Sequence, residues 1–447
     1  MADGYGSRRG TEPTRHRHRR SSASEERLRA LGERIPVSPD ELEYVEGRRV
    51  ARHRLVVVGA ILVVLVALAG VRWFGPVPPP TFVSTLSSSV RLPGPLPSLP
   101  WPTTGAAALG VEGAGSLGSV GGSHPAPIAG LAAVMTAFVV LRDHPLTAGA
   151  DGPAIPVTTA TSAAAEAEAA SQQSVVPVAA GETLTERQAL EGLLVAQGND
   201  MATLLADWDA GSGPAFVGKM NAAAHALGLD STTFTDPSGL DTGTVSTPTD
   251  LIRLGEAAMA VPTFAQIVAM AQVTLPLAGL VYNLDADLGQ SGIVGIKTGS
   301  DSAAGGCFLF QSEETVDGKV LTLVGAVLGQ EGESPNTAAL DAAVGLVNAA
   351  FAGAGTFGTL LPAGSVGRIT APWGPSVAVT AGTASVVGWP GLTVPARVHV
   401  ETLPSAIPAG AEIGVLHADL GGQVIDLVLR VSRPLHGPSA FWRLTRL

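Results

Sequence analysis

The stretch GIKTG, Gly295 to Gly299, is where this chain most clearly could do chemistry. A Lys-Thr-Gly on an edge strand beside a cleft supplies a cation at Lys297, a hydroxyl at Thr298 and, at Gly299, a residue without a side chain. Such a trio can grip a carboxylate while the rest of a ligand lies along the strand. A phosphate loop needs glycine directly before the lysine, and Ile296 stands there instead. Lysine is scarce: Lys219, Lys297 and Lys319 are the only three in 447 residues. The plain alternative for Lys297 is a salt-bridged strand residue. Asn199, in LLVAQGND, reads equally as a loop amide or as a ligand contact.

Other chemistry finds less support. His124, His144, His225, His399, His417 and His436 are scattered, without H-x-x-x-H or H-E-x-x-H spacing, so no zinc peptidase is indicated and no metal or cofactor is expected. Cys307 is the only cysteine and has no base beside it in sequence; it reads as a small buried hydrophobe. Asp200, Asp236 and Asp241 suit turn and cap roles better than paired acids. TDPSGLD is first of all a turn, with Ser238 structural.

Several elements must position these groups. PIAGLAAVMTAFVVL has helical periodicity over about 128–142, but its first turn carries Gly130, Ala132 and Ala133. An Ala/Glu/Gln segment covers 160–173, and Thr185 caps a helix that places Leu190, Leu193 and Leu194 on one face. Residues 212–229 and 247–259 give two more helices with Ser/Thr/Pro starts. Strands are expected as a hairpin over 106–122, at SGIVGIKTG, and as two runs joined at Asp317-Gly318, followed by a closing helix. Strands at both ends with helices between predict an α+β fold, one antiparallel sheet flanked by helices. Short β-prone runs from 357 to 447 predict a separate β-rich domain.

Charge and hydropathy set the compartment. Up to Arg54 there are thirteen arginines against nine acids, so a basic, disordered tail is expected over 1–54. The remainder holds fourteen basic and twenty-nine acidic residues, and an acidic body argues against nucleic acid as partner. LVVVGAILVVLVALAGV, 55–71, carries no charge and with Arg72, Trp73 and Phe74 makes a single-pass membrane anchor over 55–74. Arginines on its N-terminal side place the tail in the cytoplasm and the body outside. A cleavable signal peptide, with Ala67-Leu68-Ala69 as its small-x-small site, exports the body equally. The Pro/Ser-rich stretch 75–103 reads as a semi-extended spacer.

Four blocks, PIAGLAAVMTAFVVLRDHPL, LLVAQGND, FVGKMNAAAHALGLDSTTFTDPSGLD and GIKTGSDSAAGGC, occur in an order and spacing that resembles the serine D-alanyl-D-alanine carboxypeptidases, the low-molecular-weight penicillin-binding proteins. The resemblance covers about 101–355 and implies a DD-peptidase-like domain over 104–356. The last ninety residues, 357–447, are similar, less specifically, to the small β domain that comes after it. The tail, anchor and spacer look actinobacterial.

That family carries S-x-x-K at the start of the helix, S-x-N on a loop and K-T-G on the strand. The resemblance puts Gly130 at the nucleophile, Ala133 at the base and Gln197 at the relay serine. Only Asn199 and Lys297-Thr298-Gly299 match. No S-x-x-K exists anywhere: Phe216, Val294 and Val316 stand three before the lysines. Ser123 lies seven residues upstream with no lysine in register.

Together these motifs imply an exported homologue with no catalytic residues. It would bind the D-Ala-D-Ala stem peptide of peptidoglycan through Asn199, Lys297, Thr298 and Gly299, or serve as a scaffold for cell-wall proteins. Two other readings stay open: an active carboxypeptidase with an unconventional nucleophile, and a pure interaction module.

Overall fold

The computed structural model describes residues 39–147, 149–285, 288–357, 364–420 and 423–446. They fall into two compact units.

The first unit joins the N-terminal segment through Pro76 to the C-terminal segment from Ala440. Its main element is one helix, Pro39–Phe74. The part Ala51–Phe74 is 24 residues long, about 36 Å at 1.5 Å per residue, and is long and apolar enough to cross a membrane. Its Val, Leu and Ile side chains are largely exposed. The Arg446 guanidinium donates to the carbonyl oxygens of Arg72 at 2.8 Å and of Gly75 and Pro76 at 2.9 Å, and Arg443 donates to that of Trp73. Helix C-termini leave such carbonyls unpaired and favour positive charge. The short helix Ala440–Thr445 carries Arg443, and Arg446 stands just beyond its end.

The tail expected to be disordered over 1–54 is helical over 39–54. Extending an existing helix costs far less than nucleating one, so the apolar segment carries its helix back beyond its own boundary. Residues 1–38, which hold the rest of that basic tail, lie outside the described residues.

The second unit, Val77–Ser439, is built on a five-stranded antiparallel sheet. Its order is Ile293–Asp301, Gly305–Val316, Lys319–Gln330, Ala106–Val111, Gly115–Val120, which puts the K-T-G strand on one edge. The fold is therefore α+β, as expected. Alternation along Gly305–Val316 divides the core: Cys307 and Leu309 point into one cluster, Phe308 and Phe310 into the other. The first cluster surrounds the helix Ala132–Asp143, whose Val134, Met135, Ala137, Val139 and Val140 are fully buried. Helices Glu186–Leu194, Asn199–Ala210, Gly213–Ala226 and Pro248–Met259 also contribute to that cluster. Thr185 caps the first of these in a reciprocal box with Gln188.

The second cluster runs from the five-stranded sheet into the β-rich C-terminal part, whose strands form a sheet of their own. It unites Phe308, Phe310 and Leu323 of the sheet with Val347 and Phe351 of the closing helix Pro335–Ala352, and with Trp389, Val394 and Leu416 beyond it. The Trp389 indole donates to the Ala350 carbonyl at 2.7 Å. The closing helix lays one buried stripe on the five-stranded sheet, and Trp389 meets the end of that helix at Ala350 and Phe351.

The stretch 75–103 is not a free spacer either. Thr81–Ser84 and Ser89–Arg91 form the two edges of a seven-stranded sheet with strands from Ser365 to Val431. Val90, Leu92 and Leu99 are buried there. Short strands between prolines suit sheet edges, where a missing N–H interrupts no ladder.

Candidate functional site

A cavity of about 610 Å³ opens where the K-T-G strand meets the start of the central helix. Gly299 makes that meeting possible: a Cβ on it would stand 2.7 Å from the Gly130 backbone nitrogen. The glycine of K-T-G thus serves backbone-to-backbone packing here, a constraint that spacing alone does not reveal.

Gly130 and Ala133 both line the cavity, one turn apart. A Cβ built on Gly130 would lie 3.6 Å from the Thr298 carbonyl oxygen, an ordinary contact, so a side chain fits there. Ser123 is exposed and lies outside the cavity lining.

The cavity floor is held by the turn TDPSGLD. The Asp236 carboxylate accepts from the backbone N–H groups of Ser238, Gly239 and Leu240 and from the hydroxyls of Ser238 and Thr244. This is the Asx-type turn the sequence suggested. Gly239, at φ +87°, approaches the Ala129 carbonyl so closely that a Cβ would sit 1.8 Å away. Thr136 on the central helix donates to the Pro237 carbonyl at 2.7 Å, tying the turn to the helix.

The opposite wall is the start of the helix Asn199–Ala210. The Asn199 N–H donates to Ser174 O at 2.8 Å, and Asp200 accepts from the Val176 N–H at 2.9 Å. Burial pushes the Asp200 carboxyl up to about 6, the nearby Glu168 adds to the rise, and the Val176 N–H opposes it. These bonds hold Gln197 and Asn199 on the cavity wall beside Gln172, Gln173 and Ser174.

Lys297 lines the cavity, yet it is only 3% exposed. Its ammonium donates to the Thr298 carbonyl at 3.3 Å. Burial drops its pKa to about 7, and the charge of Asp285 works against that fall. Thr298 is buried and lies outside the cavity lining; its hydroxyl instead accepts from Gln197 Nε2 at 2.8 Å. Of the four residues expected to touch a ligand, Asn199, Lys297 and Gly299 reach the cavity, and Thr298 sits behind Gln197.

Backbone strain gathers at this place. Among the described residues, five non-glycine positions have positive φ; Ala129 at 46°, Gln172 at 61° and Gln197 at 56° all line the cavity. Left-handed backbone costs an L-residue about 1–2 kcal/mol, and it survives where surroundings impose it.

Sequence reasoning missed Gln172, Gln173, Ser300, Asp301 and Asn336, which also line the cavity. No motif marks them, because loop residues converge there from separate segments. Among the described residues no three His, Cys, Asp or Glu side chains converge to hold a metal ion. Cys307 is fully buried and burial pushes its thiol up to about 11, which leaves it unreactive.

Comparison with known proteins agrees with this arrangement. The D-alanyl-D-alanine carboxypeptidase family model matches residues 120–331. A D-alanyl-D-alanine carboxypeptidase of Streptomyces sp. K15 is 34% identical over 212 residues, 44% of this chain and 69% of that protein. DacB2 of Mycobacterium tuberculosis, a D-alanyl-D-alanine carboxypeptidase, is 43% identical over 136 residues, 29% of this chain and 46% of that one. The chain thus spans about half of the mycobacterial relative. The structure of a point mutant of Streptomyces K15 DD-transpeptidase superposes with a TM-score of 0.50 at 28% identity, covering 57% of this chain and 99% of that one. With the K-T-G strand, the helix-start turn and the Asn199 loop around one cavity, and with these relatives, the chain belongs to the D-alanyl-D-alanine carboxypeptidase family.

Proposed function

We propose that this protein is a membrane-anchored, extracytoplasmic binder of peptidoglycan stem peptides that does not hydrolyse them. The observation that carries it is the turn facing the K-T-G strand, where Gly130 and Ala133 offer neither nucleophile nor base to the cavity. In an unrelated serine hydrolase, loss of the nucleophile costs about 10⁶ in turnover. Here the residues at the base and relay-serine positions are replaced as well, and at that turn an acyl-enzyme has no atom to form on.

Binding without hydrolysis draws support from what is kept. Asn199, Lys297 and Gly299 face a cavity large enough for a short peptide. Three strained residues hold its walls, a cost that a pure interaction module with a vestigial cleft would have no reason to retain. The apolar helix Ala51–Phe74, with Arg48, Arg49, Arg52 and Arg54 at its N-terminal side, supports a single-pass anchor with the N-terminus in the cytoplasm.

The test is incubation of the full chain with fluorescent penicillin, then denaturing electrophoresis. No labelled band is expected. A band that disappears on competition with unlabelled drug overturns the loss of acylation.

A further inference from the structure

Gln197 changes what the strand end of the cavity can recognise. A carboxylate ligand is favoured by a cation it can reach. The Thr298 hydroxyl lies behind the Gln197 carboxamide and outside the lining, and the Lys297 ammonium, though it reaches the lining, is only 3% exposed. The other charged group in the lining is Asp301, of the wrong sign. Bringing a free carboxylate here would strip water from its charge with no exposed cation to compensate.

Beside the hydroxyls of Ser174, Ser238 and Ser300, the remaining polar side chains are of a different kind. Gln172, Gln173, Gln197, Asn199 and Asn336 set five carboxamides around one cavity. Each presents both N–H donors and a carbonyl acceptor. With one N–H of Gln197 committed to Thr298, its carbonyl oxygen and second N–H remain. That pair complements another amide, which can be desolvated without burying a charge.

Resting on the stem-peptide reading, we infer that Gln197 makes this cavity selective for peptides that end or continue in an uncharged amide, over peptides that end in a free carboxylate. Gln197 is then a specificity-determining residue and the ligand class is a carboxamide-terminated or chain-internal peptide.

Calorimetric titration of the detergent-solubilised full chain tests this with two probes, diacetyl-L-Lys-D-Ala-D-Ala and the same peptide as its C-terminal carboxamide. The carboxamide is expected to bind at least about tenfold more tightly. In Gln197→Ser, which uncovers Thr298, that preference should fall to parity or reverse. Gln197→Glu, close in shape and a safeguard against misfolding of the serine variant, should still reject the acid while losing affinity for the amide. Tighter binding of the free acid to the unaltered chain, or a preference untouched by both variants, overturns the inference while leaving stem-peptide binding in place. Failure of both probes to bind overturns the two together.

Discussion

The Gln197 carboxamide donates to the Thr298 hydroxyl at 2.8 Å across 101 residues of chain. It joins the loop that opens the Asn199 helix to the K-T-G strand, so two walls of the cavity are held by a side-chain bond between them. The family resemblance puts the relay serine at Gln197 and a substrate contact at Thr298, and here the two side chains engage each other.

If the cavity keeps its catalytic geometry, the machinery can be put back. Gly130→Ser has room, since the built Cβ makes only ordinary contacts, and Ala133→Lys lies one turn on in the same cavity. Combined with Gln197→Ser, the triple variant is expected to form a covalent adduct with fluorescent penicillin, visible after denaturing electrophoresis. A well-folded triple variant that stays unlabelled would show that the walls have moved apart from their catalytic positions.

The turn at Gly239 should be intolerant. Gly239→Ala combines positive φ with a 1.8 Å approach to the Ala129 carbonyl, and should lose at least about 2 kcal/mol in urea unfolding. Gly228→Ala shares the positive φ but has open space around it, so it should lose only about 1 kcal/mol. Equal losses in the two variants would mean that the contact with Ala129 is unimportant.

Stability should depend on pH through Lys297. Its folded pKa is about 7, while the unfolded chain holds that proton up to the ordinary value of 10.5. Between these values the unfolded state binds more protons, so this group's contribution to stability rises with pH; below 7 the penalty of the buried charge is fully present. Lys297→Met removes the slope. The Tm of the unaltered chain should therefore gain on that of the variant as pH is raised from 7 to 10, and parallel curves would contradict a buried, depressed lysine.

Much of this was legible in the residues themselves. The apolar run after Arg54, the K-T-G motif, the turn at Asp236 and the helix cap at Thr185 depend on neighbours within a few positions, so local rules reach them. The α+β arrangement came from the order of strand-like and helix-like segments. The Pro/Ser-rich stretch misled, because composition describes what a segment can do alone; Thr81–Ser84 and Ser89–Arg91 become strands only because partners almost three hundred residues away leave two sheet edges open. The short β-prone runs after 357 were legible in the same local way, whereas the bond between Trp389 and the end of the closing helix is a property of packing.

By itself, then, the sequence determined which side chains stand at the turn facing the K-T-G strand: no rearrangement of the chain can put a hydroxyl on Gly130 or an amine on Ala133. Only the tertiary structure decided what occupies the site instead. Burial of Lys297, the cover that Gln197 lays over Thr298 and the convergence of five carboxamides arise from segments distant in the chain, and desolvation and hydrogen bonding act on distances in space.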